Sequence, residues 1–154
     1  MTTWNELLKN TERVTPNYRL TQAIKVSDLD IDYSINTKVI SFHGMIHTMH
    51  GHYGVIAEFH GIDATEGLTE DEILNGFLPK PSLADHDIKV YCNCPNYRFR
   101  FDIPNRKHNA GTGQPFGTYH KKTDRKPNNP QDLPGVCYHL IEFLDYLHSQ
   151  GFIH

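Results

Sequence analysis

At 154 residues with 38% apolar side chains and a mean hydropathy of −0.56, the chain has the length of one domain but a thin core for that length. Such a balance favours a metal staple or a partner surface. The net charge of −3 gives no global case for nucleic acid, and no run approaches the apolar length of a membrane span, so no membrane partner is expected.

Charge is distributed unevenly. Residues 1–90 hold 7 Lys/Arg and 13 Asp/Glu, whereas residues 91–154 hold 8 and 5, so basic charge gathers in the second half. Met1–Glu6 lacks the basic start and apolar run of a signal peptide. Free thiols arranged as ligands suit a reducing cytoplasm. The expected layout is a single domain, 1–154. Its parts are an N-terminal helix and extended arm (1–36), a hairpin with a short helix (37–87) and a metal-bearing half (88–154) with a long insert over 95–136.

In chain order, residues 4–13 read as a short amphipathic helix with Trp4, Leu7 and Leu8 on one face, stopped by Pro16. From Tyr18 to Ser34, Leu20, Ile24, Val26, Leu29 and Ile31 admit either a strand or an extended arm, and the alternation at Val26 and then Leu29, Ile31 and Tyr33 leans towards extended chain. Lys38–His43 and His52–His60 read as an antiparallel pair joined by a connector holding Gly51. Thr69-Glu70-Asp71-Glu72 is a capping box that opens a helix over 70–77, ended by Pro79 and Pro81. Residues 87–92 and 97–102 are expected to form a second hairpin around Cys94-Pro95-Asn96. That pairing would place Tyr97, Phe99 and Phe101 on one face and Arg98, Arg100 and Asp102 on the other. The insert from Pro95 to Val136 holds 6 of the 9 prolines and little periodicity, so it is expected to be irregular. Leu140, Ile141, Phe143, Leu144 and Leu147 form a helical stripe. Gly151 is placed as its left-handed terminator, with Phe152 reaching back to Leu147.

The three cysteines of the chain fall into two short words, Cys92-Asn93-Cys94 and Cys137-Tyr138-His139. Together they spell Cys-x-Cys … Cys-x-His, a donor set suited to one structural Zn2+. Zinc–sulfur bonds of about 2.3 Å require sulfurs roughly 3.8 Å apart. Same-face residues on a strand lie roughly 6–7 Å apart, so the strand must curl as it ends. Pro95-Asn96 provides that break. Cys137 belongs at or just before a helix start, with His139 in the first turn. An odd cysteine count argues against a disulfide framework, and a Cys-x-Cys bridge would close a strained ring.

The surrounding residues, Val90–Phe101, Asn129-Pro130 and Pro134–Leu140, make the motif resemble the SWIM-type zinc finger in the form found in structural proteins of tailed-phage virions. The resemblance covers residues 88–148. It implies a zinc-stabilised structural or assembly protein, located in the virion and assembled in the host cytoplasm, that docks on neighbouring subunits. The 42 residues between Cys94 and Cys137 exceed the usual spacing of such fingers, and Tyr138 stands where many carry a lysine, which weakens any carry-over of DNA binding.

Two other constellations carry chemistry. Arg98, Arg100, Arg106, Lys107, Lys121, Lys122, Arg125 and Lys126, interleaved with aromatics, suit either an acidic protein neighbour or a nucleic-acid backbone. His43, His47, His50, His52 and His60 sit in and beside the first hairpin and raise a second metal or a metal-dependent nuclease. His50 and His52 are placed on one strand face, with no carboxylate near them before Glu58, so the plainer reading is polar-face and turn residues. A nucleophilic enzyme is disfavoured, since the cysteines are committed and no Gly-x-Ser-x-Gly or phosphate loop is present. The resulting expectation is a non-enzymatic α+β protein: small antiparallel hairpins, a C-terminal helix clamped by structural zinc, and a long irregular insert.

Overall fold

A computed structural model describes residues 1–15, 24–116 and 128–154. Pro16, Tyr18 and Leu20, and in the insert Tyr119, Lys121, Lys122, Arg125 and Lys126, lie outside the described residues.

Helix α1 spans Trp4–Val14 and opens on a capping box, with Thr3 accepting from the Glu6 amide and the Glu6 carboxylate accepting from the Thr3 amide. Its buried residues, Trp4, Leu7 and Thr11, recur at the spacing of one helical face. Strands β1 (Lys25–Ser34), β2 (Val39–Thr48), β3 (Gly51–His60) and β4 (Asp87–Cys92) form one antiparallel sheet in that order. The first hairpin is as expected but longer, because β2 and β3 pair from Val39↔His60 to Thr48↔Gly51 around the turn Met49-His50. Of the two readings of the stretch before Ser34, a strand or an extended arm, the described part is a strand, the edge strand β1, whose register slips between Ser27 and Asp30 at a bulge.

Alternation divides the sheet cleanly. Ile40, Phe42 and Ile46, then Val55, Ala57 and Phe59, then Ile88, Val90 and Cys92 are buried on one face. Helix α5 (Tyr138–Ser149) lays Leu140, Ile141, Phe143, Leu144 and Leu147 into the same core. The helix comes so close at Gly44 that a Cβ there would sit 2.8 Å from Phe143 Cε1. The opposite face carries His43, His47 and His52 among polar and apolar neighbours, including Met45 and Ile56.

Helix α2 (Glu70–Leu74) has the capping box read from the sequence, but it ends earlier than expected and buries no residue. α5 ends as expected: Gly151 has φ +79°, its amide donates to His148 O, and the Phe152 amide donates to Leu147 O. That pair of bonds is the Schellman arrangement.

The second hairpin is not formed. Residues 95–107 are helical instead, as α3 (Pro95–Arg100) and α4 (Asp102–Lys107). Cys94 occupies the N-cap in extended backbone and its sulfur accepts from the Tyr97 amide at 3.3 Å, with Pro95 at the first helical position. There proline costs no hydrogen bond. Tyr97 and Phe101, four residues apart, are fully buried while Phe99 is 43% exposed; a shared strand face would have buried all three.

The irregular-insert reading is corrected for the same stretch. After α4 the chain returns to the outer edge of β4, where the Val90 amide donates to Ala110 O and the Thr112 amide to Val90 O. Among the described residues no helix is long and apolar enough to cross a membrane.

Candidate metal centre

Three elements converge at one end of the sheet. Cys92 closes β4, Cys94 caps α3, Cys137 caps α5, and His139 lies in the first turn of α5. One donor atom from each of the four residues lies within 4.8 Å of every other, and Cys92 Sγ is 3.9 Å from His139 Nδ1. A tetrahedral ion needs edges of roughly 3.8 Å, so closing on a metal requires a contraction of about 1 Å. The three cysteines are buried and unpaired as disulfides, and His139 is half-buried. This Cys3His group can hold a metal ion, and it is the only such group of three or more donors among the described residues.

The electrostatics of the thiols fit that use. S–H donation from Cys137 and then Cys92 holds Cys94 well below the usual thiol range, with the Tyr97 amide adding to the effect. Burial pushes Cys92 and Cys137 well above it. A cation held by these donors would displace the protons of the thiols it binds.

The geometry is held by bonds that do not involve the donors. Asn93, between the two ligands, accepts from the Gly54 amide at 2.9 Å through Oδ1 and donates its own amide to Gly54 O, fixing the curl at the end of β4. The buried Tyr97 hydroxyl donates to Val90 O at 2.9 Å and ties α3 to β4 two residues before Cys92. Asn105 is fully buried. Its Nδ2 donates to Gly135 O and to the Tyr97 hydroxyl, and its Oδ1 accepts from the Gly135 amide. Thr11 of α1 accepts from the Val136 amide at 2.9 Å, immediately before Cys137. Tyr53 lies against the His139 ring with centroids 4.5 Å apart. Sequence reasoning found the four clustered donors and missed this support. Asn93 had a positional signal, lying between two ligands, but Asn105 and Thr11 act across 30 and 125 residues with no local pattern to mark them.

Among the described residues, the basic side chains of the insert, Arg98, Arg100, Arg106 and Lys107, go to different partners. Arg106 turns inward, pairing with the buried Asp102 at 3.1 Å and donating to Thr112 O and Gly113 O. Lys107 pairs with Asp132 at 2.8 Å. The Arg100 guanidinium reaches Thr15 Oγ1. Arg98 is exposed and lies over the Phe99 and Phe116 rings at 5.1 and 5.4 Å, and Phe116 in turn stacks on Tyr91.

Among the histidines, His50 lies in the turn and not on a strand face with His52. The residue paired across from His52 is His47. His60 bonds Glu58 at 3.0 Å.

In comparisons with protein-family models, with curated proteins and with solved structures, nothing matches this chain.

Proposed function

We propose that this is a non-enzymatic structural protein in which a single Zn2+, held by Cys92, Cys94, Cys137 and His139, fixes the base from which the rest of the insert projects onto neighbouring subunits. The observation that carries this reading is the closed donor set: three buried thiols and one imidazole, mutually within 4.8 Å. Four protein ligands leave zinc no position at which to activate water, as catalytic zinc requires. Sulfur-rich tetrahedral sites select zinc over the harder cations. The likeness of Val90–Phe101 and Pro134–Leu140 to the SWIM-type finger of tailed-phage structural proteins supports a place in a virion, assembled in the host cytoplasm.

Elemental analysis of untagged protein should find one zinc per chain, with the thiols unreactive until a chelator is added. Cys94→Ser should lose the zinc, unfold the C-terminal half and abolish subunit association by native mass measurement. Freely titrating thiols without zinc, or a Cys94→Ser protein with wild-type circular dichroism and oligomer size, would overturn the proposal.

A second reading, a nucleic-acid-binding module, is favoured by the exposed Arg98 set among Phe99, Phe116 and Tyr91. Such an arrangement suits base stacking. It predicts a mobility shift at low salt that Arg98→Glu removes and that falls steeply as salt rises. Absence of any shift with the parent protein eliminates it.

A further inference from the structure

The histidine hairpin is organised by β1, a strand that no local pattern connects with it. His47 on β2 and His52 on β3 are directly paired across the strands, with Nδ1 atoms 2.6 Å apart. The far nitrogen of His47, Nε2, lies within hydrogen-bond distance of Ser27 Oγ on β1. Ser27 Oγ donates in turn to Asp28 Oδ2 at 3.1 Å. A carboxylate, a hydroxyl and two imidazoles thus form one chain. With Ser27 donating to Asp28, the tautomer that satisfies the chain has His47 donating from Nε2 to Ser27 and its Nδ1 lone pair facing His52.

That order is the one a metal-ligating histidine adopts, with its second nitrogen donating to a carboxylate-backed partner that fixes tautomer and ring direction. The backbone contributes as well. Asp28 has φ +54°, a left-handed conformation uncommon for residues other than glycine, and it sits in the bulge that interrupts β1 between Ser27 and Asp30. Bulges commonly re-aim side chains next to functional sites.

We propose that His47 and His52 form a second metal site, distinct from the Cys3His centre, binding a first-row divalent ion of the nitrogen-preferring class (Ni2+, Cu2+ or Zn2+) through their Nδ1 atoms. Imidazole suits these ions, and hard oxygen-seeking cations such as Mg2+ and Ca2+ are selected against. Metal–nitrogen bonds of 2.0–2.1 Å need nitrogens roughly 2.9 to 3.4 Å apart, so the pair opens by less than 1 Å to admit the ion. His52 is exposed and His47 partly so. Two protein ligands leave coordination positions for water or for a group presented by a docked molecule.

The test uses the full chain as purified, dialysed to equilibrium against Ni2+ with nickel and zinc both counted. Wild type should take up one more equivalent of Ni2+ than the His47→Ala/His52→Ala double variant, with equal zinc in the two proteins. Each single variant should lose the extra equivalent. Ser27→Ala should weaken it about 10-fold or more, while His43→Ala, exposed on the same face, should keep it. Because the readout is the difference between wild type and a variant untouched at the cysteines, it is independent of what the Cys3His centre holds. Equal nickel uptake by wild type and the double variant overturns the proposal, as does retention of the extra equivalent by either single variant.

Discussion

Asn105 makes three hydrogen bonds in a fully buried position, two to Gly135 and one to Tyr97. Asn105→Ala leaves the Gly135 amide and carbonyl buried without partners, which costs about 1–3 kcal/mol for each group. A loss of about 3 kcal/mol in urea unfolding is expected, with metal affinity falling because Gly135 sits two residues from Cys137. Gly44 tests packing in the opposite direction. Gly44→Val drives a side chain into Phe143 and should cost about 1–3 kcal/mol. Pairing it with Phe143→Leu should recover part of that cost in a double-mutant cycle.

Asp102 carries the pH dependence at this scale. Burial pushes its carboxyl above the usual carboxylate range, against the pull of Arg106. A folded pKa above the unfolded one means that this group's stabilising contribution is present below the unfolded value, about 3.9. The contribution is lost as pH rises through the folded value. The stability of wild type relative to Asp102→Asn should therefore decline as pH rises above about 4 in paired urea titrations. A difference that rises over that range would contradict the assignment.

At the scale of elements, local signals succeeded wherever backbone groups near one another in sequence had to be satisfied. The Thr69 capping box, the Gly151 terminator and the apolar face of Trp4 and Leu7 depend only on residues three to five apart, which is why α1, α2 and α5 could be placed in advance; the capping box at Thr3 was not read from the sequence. Residues 95–107 failed because two periods fit the same letters. Tyr97, Phe99 and Phe101 alternate as a strand would, while Tyr97 and Phe101 also satisfy a helix. The Cys94 cap and the burial of Tyr97 beneath β4 decided for the helix. α2 buries nothing, so Thr69→Ala should cost about 1 kcal/mol locally. That change should appear as faster amide exchange over residues 70–74, with no shift of the global unfolding midpoint.

For the whole molecule, the two halves of the sequence meet through the sheet. α1 reaches Val136 through Thr11, and α5 packs across the strands, so the site at the end of β4 is supported from both termini. A metal bound only by the folded chain stabilises it by mass action, and a structural zinc in the proposed site would supply about 10 kcal/mol or more. Chelation should therefore lower the thermal midpoint by at least about 10 °C, reversibly on re-addition of zinc. An unchanged midpoint after verified metal removal would show that the core alone sustains the fold.

The amino-acid sequence alone determined the donor set, the Thr69 cap and Gly151 terminator, the first hairpin and the terminal helix, because each is written in residues a few positions apart with a fixed chemical or periodic rule. Only the tertiary structure decided that β1 joins the sheet and brings Ser27 and Asp28 behind His47. The same holds for the helical turn after Cys94 and for Asn105 and Thr11, which brace the second ligand pair. These depend on burial and on partners up to 125 residues away. No local pattern encodes such partners, since a buried amide or hydroxyl acquires its role only when the chain has closed around it.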